Sequence, residues 1–185
     1  MPQNTQISDA SFLDPERIAR SFGLERGDHV ADFGAGHGFF TIPMARIVGG
    51  DGKVYAIDVQ KPTLEIITAR GRAANLLTIE TVWADLDTPK GSGLRDRFLD
   101  FVLIANILFQ SEQKQTMLGE AYRILCEGGR MALIEWNQDP APLGPPLAMR
   151  IAKDAAKRLA SGTGFELDRE FGAGAHHYGL LFRKP

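Results

Sequence analysis

Asp32-Phe33-Gly34-Ala35-Gly36-His37-Gly38 is the first place in this 185-residue chain where residue types and spacing point to chemistry. Glycines after an apolar run let a ligand approach the backbone, and the helix that follows offers free N–H groups to a negative atom. The spacing is GxGxG, whereas the dinucleotide fingerprint reads GxGxxG, and Phe39 stands where its third glycine belongs. Asp32, two residues before the first glycine, adds a fixed carboxylate. Beside a diphosphate that charge repels; beside a cation it attracts.

Other residues extend the pattern. Asp58 closes the apolar run Val54-Tyr55-Ala56-Ile57, about 20 residues beyond the glycines, the distance a βαβ unit imposes. A carboxylate there can accept from two adjacent hydroxyls at once. Asp85 follows the β-branched run from Thr78 to Trp83, and Asp87 is close enough to take its part. Read alone, Asp58 and Asp85 are equally helix caps. Asn106 follows the most apolar run and either orients a bound molecule or caps the next turn. His176-His177-Tyr178 offers an imidazole that takes a proton near neutral pH, or simply a polar strand edge. The four histidines are dispersed, so no metal site is expected. S-adenosylmethionine, with a sulfonium, an ammonium and no phosphate, suits a GxGxG turn that carries Asp32.

These residues need a frame. Asp14 and Pro15 announce a helix to about Phe22, with Leu13 stapled onto Ile18. His29–Phe33, Val54–Asp58, Thr78–Trp83, Phe98–Ala105 and Arg130–Trp136 read as strands. Helical stretches separate them: Phe39–Val48, Pro62–Ala74, and one capped by Ser111 that presents Met117, Leu118, Ala121, Tyr122 and Leu125. The alternation predicts βαβ units and a parallel sheet covered on both faces. A helix from about Pro146 to Ala160 leads to Phe165–Phe171 and His177–Arg183, a hairpin that predicts an antiparallel last strand.

Composition bounds the function. Hydrophobic residues make up 44%, and 21 Lys+Arg against 23 Asp+Glu give a net charge of -2. That excludes a basic body holding nucleic acid by bulk charge, so no DNA partner is expected. The single cysteine, Cys126, excludes a disulfide framework. No apolar run reaches the roughly 20 residues of a membrane span. Met1-Pro2-Gln3-Asn4-Thr5-Gln6 has neither a basic nor an apolar signal region, so the expectation is a cytoplasmic protein. The length predicts one domain over 1–185, with 1–13 a loose N-terminal segment.

Over residues 14–137 the chain resembles the class I S-adenosylmethionine-dependent methyltransferases. Four pieces carry the likeness in order: the turn with Asp32, Gly34, Gly36 and Gly38; Asp58; Ala84-Asp85; and Leu125-Cys126-Glu127-Gly128-Gly129-Arg130. The last departs from the family's usual Lys-Pro-Gly-Gly. The resemblance implies an α/β, Rossmann-like doubly wound sheet of seven strands, order 3-2-1-4-5-7-6. It implies that the first turn wraps the methionine moiety, that Asp58 and the following Val59 hold the ribose, and that Ala84-Asp85 hold the adenine. Asn106 falls beside the sulfonium methyl, among the cofactor residues and as a catalytic candidate with His177. The segment Asn106 to Phe109, the Pro-rich stretch Pro140–Pro146 and His176–Tyr178 are expected to enclose the acceptor. The overall look is similar to small quinone-biosynthesis C-methyltransferases, mostly in the cofactor half. A chain with little beyond the core favours a small-molecule acceptor. The alternatives are a methyltransferase of protein or RNA, a non-catalytic cofactor-binding module, and a nicotinamide-dependent oxidoreductase, against which Asp32 argues.

Overall fold

Apolar runs bounded by glycines and acids form the strands of one sheet, and amphipathic stretches between them form its covering helices. The computed structural model describes residues 13–139 and 143–185. In chain order the elements are α1 (Pro15–Arg20), β1 (His29–Phe33), α2 (Thr41–Val48), β2 (Lys53–Asp58), α3 (Lys61–Ala73) and β3 (Ile79–Trp83). Then come β4 (Leu99–Ala105), α4 (Lys114–Ile124), β5 (Leu125–Trp136), α5 (Lys153–Thr163), β6 (Glu166–Gly172) and β7 (His177–Arg183). The seven strands lie in the order β3-β2-β1-β4-β5-β7-β6. The first five are parallel, and β7 runs antiparallel to both β5 and β6.

Central strands are apolar on both sides because both sides are covered. On one face Phe33, Val102, Ile104, Leu133, Leu180 and Phe182 pack with Leu118 of α4 and Ala156 of α5. On the other, Val30, Phe101, Leu103, Ile134 and Leu181 pack with Ile18 of α1 and Met44 of α2. Leu13 is half-buried in this second cluster, as the staple requires. Asp14 caps α1 by accepting the Arg17 N–H at 3.2 Å. Parallel strands all end on one side, so the turns after β1, β2, β3 and β4 gather there.

Three boundaries differ from the sequence reading. β5 starts at Leu125 rather than Arg130, because Leu99 pairs with Leu125 and Phe101 with Arg130, and the residues between them bulge. α4 begins at Lys114; Ser111 sits upstream and accepts the Gln113 N–H at 3.0 Å. The helix expected from Pro146 is a single 3-10 turn, Leu147–Met149, and α5 starts only at Lys153. Arg150 and Ala152 are extended, and Arg150 is committed to the chain before it, as described below. Residues 1–12 of the loose segment, and Pro140, Ala141 and Pro142 of the Pro-rich stretch, lie outside the described residues. Among the described residues no helix is long and apolar enough to cross a membrane.

Candidate active site

The Gly-rich turn is held by the end of the neighbouring strand. The N–H groups of Gly34 and Ala35 both donate to the Ile57 carbonyl, at 2.8 and 3.0 Å. Gly34 has φ +66°, and a Cβ there would lie 2.4 Å from Ile107 Cγ2, so only a hydrogen fits. Asp58 is 8% exposed; its Oδ2 accepts the Gly36 N–H at 2.9 Å and its Oδ1 the Gln60 N–H at 2.8 Å. An ionised carboxylate has about four lone-pair sites, so each oxygen keeps one for a further donor. Asp32 is 3% exposed and accepts from the Thr41 hydroxyl at 2.6 Å. Burial pushes its carboxyl up to about 7 against the Thr41 bond, and the Asp58 charge pushes the same way.

The predicted cofactor residues converge on two adjoining cavities. Gly34, Gly36, Asp58, Val59, Ala84, Asp85 and Asn106 line one of about 360 Å³. Asp32 lines a second, of about 500 Å³, with Leu13, Pro15, His37, Phe39 and Phe40. Gly34, Gly36, Ala105 and Asn106 line both. Gly38 lines neither; its N–H closes the turn onto the Ala35 carbonyl at 2.8 Å. Asp85 and Asp87 share the first cavity but differ in commitment. Asp87 accepts from the Ser111 hydroxyl with one oxygen and from the Glu112 N–H with the other. Asp85 Oδ1 accepts the Asp87 N–H at 2.9 Å. Asp85 therefore has the freer carboxylate.

Asn106 occupies the common wall. It takes φ +57°, donates its N–H to the Ile134 carbonyl at 2.9 Å and accepts from Gln110 Nε2 at 3.1 Å through its own carbonyl. Its Oδ1 is buried with no hydrogen-bond partner, an unmet acceptor where the cavities join. His177 is elsewhere. It opens β7 opposite Trp136, is 4% exposed, has its ring 4.1 Å from the Trp136 ring, and lines neither cavity. Burial, with the charges of His176 and Arg150, pushes it down to about 4, so the ring is neutral at physiological pH.

Among the described residues, four buried charged residues escape the sequence reading: Glu120, Glu135, Arg150 and Lys184. Glu135 of β5 is 0% exposed and burial pushes its carboxyl up to about 7. An acid closing an apolar strand is the same signal that marks Asp58, and it was available in Ile134-Glu135-Trp136. Arg150, 7% exposed, donates to the carbonyls of Pro145, Asn137, Asp139 and Leu143 at 2.6–2.9 Å. Nothing in its neighbours along the chain announces that.

Known proteins agree with this geometry. Residues 30–129 match the family described as methyltransferase domain. The ubiquinone/menaquinone biosynthesis C-methyltransferase UbiE of Francisella tularensis subsp. novicida (strain U112) is 28% identical over 132 residues, 69% of this chain and 50% of that protein. Its counterpart in Psychromonas ingrahamii is 28% identical over 151 residues, 77% of this chain and 57% of that protein. The chain spans about half the length of the curated relatives it matches. The crystal structure of an S-adenosylmethionine-dependent methyltransferase from Aquifex aeolicus superposes with a TM-score of 0.86 at 25% identity, over 94% of this chain and 91% of that one. The family match takes in the Gly-rich turn, Asp58 and Asp85, and the strand order is the one the family implies, so this chain belongs to the class I S-adenosylmethionine-dependent methyltransferases.

Proposed function

We propose that this chain binds S-adenosylmethionine along the first cavity and transfers its methyl group to an apolar small molecule held in the second. The observation that carries the reading is the common wall of Gly34, Gly36, Ala105 and Asn106 between a cavity lined by Asp58, Asp85 and Asp87 and one where Leu13, Pro15, Phe39 and Phe40 surround Asp32 and His37. The residues present fit the cofactor. Asp58 keeps lone pairs for two ribose hydroxyls, Asp85 accepts from the adenine amino group, and Gly36, with almost open space where a Cβ would stand, lets a ligand approach the backbone. Asp32 lines the second cavity beside Gly34 and Gly36, where its carboxylate favours a cationic group.

When bound, S-adenosylmethionine supplies an electrophilic methyl carbon on a sulfonium. The task of this chain is then positioning, because little charge develops that needs a partner. Asn106 Oδ1 accepts a proton donor on the acceptor and orients it; buried Phe40 and exposed Phe39 offer apolar surface to its ring. The curated relatives are named as C-methyltransferases, and an aromatic-lined cavity suits a ring whose carbon is the nucleophile. His177 lines neither cavity and burial holds its ring neutral, so no base role is assigned to it in this reading.

Titration calorimetry tests the first step. S-adenosylmethionine and S-adenosylhomocysteine bind at micromolar level, about 8 kcal/mol, and NAD does not. Asp58→Ala loses about 1.5–3 kcal/mol of that affinity, the worth of hydrogen bonds to a charged group. Saturable NAD binding with no response to either methyl cofactor overturns the reading. Turnover against a library of small aromatic metabolites, lowered by Asn106→Ala with cofactor affinity nearly unchanged, tests the second step.

A further inference from the structure

Glu135 is next to last in β5, and neither cavity uses it. Burying a carboxyl there is costly, and a leucine would fill the volume without that cost. What the carboxyl supplies is an acceptor. Its Oε1 takes the Phe109 N–H at 3.1 Å, and the N–H groups of Trp136 and Leu108 also bear on it. Its Oε2 is buried with no hydrogen-bond partner. The titratable groups that bear on it are Lys114 of α4 and Tyr178 of β7. Both are engaged elsewhere: the Lys114 ammonium donates to the Ser111 carbonyl, and the Tyr178 hydroxyl to the Ile151 carbonyl at 2.9 Å. Backbone donors are therefore the partners of this acid.

Leu108 and Phe109 lie in the turn between β4 and α4 that begins with Asn106 and Ile107. Both of those residues matter to the cavities, since Ile107 packs on Gly34 and Asn106 stands in the common wall. Asn106 also holds φ +57°, a conformation that persists in a residue with a side chain only where the surroundings enforce it. Successive residues of β5 supply the restraint. The Ile134 carbonyl takes the Asn106 N–H at the start of the turn, and the Glu135 carboxyl takes the Phe109 N–H further along.

We infer that Glu135 is a positioning residue: its carboxyl grips the 106–109 turn against β5 and so sets where Asn106 and Ile107 stand between the two cavities. The meaning of that wall rests on the proposed function, whereas the grip is a property of the fold. Without the acceptor, the half-buried Phe109 N–H loses its partner, Leu108 loses the same carboxyl, and the turn loosens.

The test compares the parent with Glu135→Leu, which removes the acceptor, and Glu135→Gln, which keeps a carbonyl oxygen. Residue-resolved amide hydrogen exchange and calorimetry with S-adenosylhomocysteine are the two readouts. In Glu135→Leu, exchange at Leu108 and Phe109 speeds about tenfold or more while amides of β1 and β2 keep parental rates. Affinity for S-adenosylhomocysteine falls about 5- to 10-fold, the loss of roughly one hydrogen-bonded restraint. Glu135→Gln restores both to near parental values. Parental exchange at Leu108 and Phe109 in Glu135→Leu, or equal losses in the two variants, overturns the inference. If Glu135→Leu fails to fold, Glu135→Gln decides: parental protection and affinity support an acceptor role, and loss of either overturns it. A parent that does not bind S-adenosylhomocysteine overturns the proposed function, and the exchange rates still judge Glu135.

Discussion

Three buried groups tilt the stability of the fold against pH in opposite directions. Asp32 and Glu135 hold their protons up to about 7, against ordinary values of 3.8 and 4.5. Across that window the folded chain keeps protons that the unfolded chain has lost. Their contribution is therefore full below the ordinary values and is lost as pH rises through 7. His177 is pushed down from 6.5 to about 4, so the folded chain there lacks a proton that the unfolded chain binds, and stability is lost as pH falls through that range. The His177 slope offsets about one of the two falling slopes, so these groups leave the parent a net loss of a few kcal/mol from pH 4 to 7. Asp32→Asn removes one falling slope. In urea unfolding at several pH values, the variant gains on the parent by a few kcal/mol between pH 4 and 7 and no further above. A constant difference across that range shows that Asp32 ionises in the folded chain without penalty. Asp32 is legible in the sequence as a fixed acid beside glycines, but its proton is not, because burial depth decides it and no motif records depth. The same holds for His177: its residue type advertises a base, and burial, with the charges of His176 and Arg150, pushes its pKa down.

The connection from β5 to α5 shows what an element loses when its sequence is read only for periodicity. Prolines and a run of helix formers predict a helix from Pro146, yet the chain runs through one 3-10 turn and an extended Arg150 before α5 begins. The guanidinium is the cause. Its fork collects carbonyls from Asn137 to Pro145, which ties the strap into a loop closed on itself, and it lies 5.5 Å from the Trp136 ring centroid. Gly144, at φ +83°, passes so close to that ring that a Cβ would sit 2.6 Å from it. Arg150→Ala leaves four carbonyls without their donor and costs about 2–4 kcal/mol. For a chain of this size that lowers Tm by roughly 5–15 °C. Arg150→Lys recovers little, since a single ammonium has no planar fork to reach carbonyls in several directions. Thermal unfolding of the two variants checks this, and a lysine variant that melts with the parent shows the strap is held by other contacts. Pairwise spacing along the chain carries no trace of such a hub, whereas caps such as Asp14 are local and readable.

At the scale of the molecule, the parallel sheet and its antiparallel last strand are legible because alternating apolar runs and helices leave few ways to bury both faces. Gly34, Asp58, Ala84 and Asn106 of the first cavity are legible for a related reason: they sit where strands end, and strand ends gather on one side of such a sheet. The second cavity is not, because it is made by parts far apart in the chain: the start of α1 with Leu13 and Pro15, the Phe39-Phe40 pair after the glycines, and the end of β4. The sequence reading places the acceptor among Asn106–Phe109, Pro140–Pro146 and His176–Tyr178; Asn106 lines both cavities and Ile107 the first, while the described residues of the other two segments line neither. The common wall of Gly34, Gly36, Ala105 and Asn106 also has a kinetic consequence. On the proposed function, a cofactor in the first cavity would complete the shared wall of the second, so the acceptor would meet a finished chamber only after the cofactor has entered. Binding is then ordered, cofactor first and demethylated cofactor released last. Initial-rate measurements with S-adenosylhomocysteine as inhibitor should show competition against S-adenosylmethionine and mixed inhibition against the acceptor. An acceptor that binds equally well to the empty protein would mean that the second chamber is complete by itself, and entry would be random.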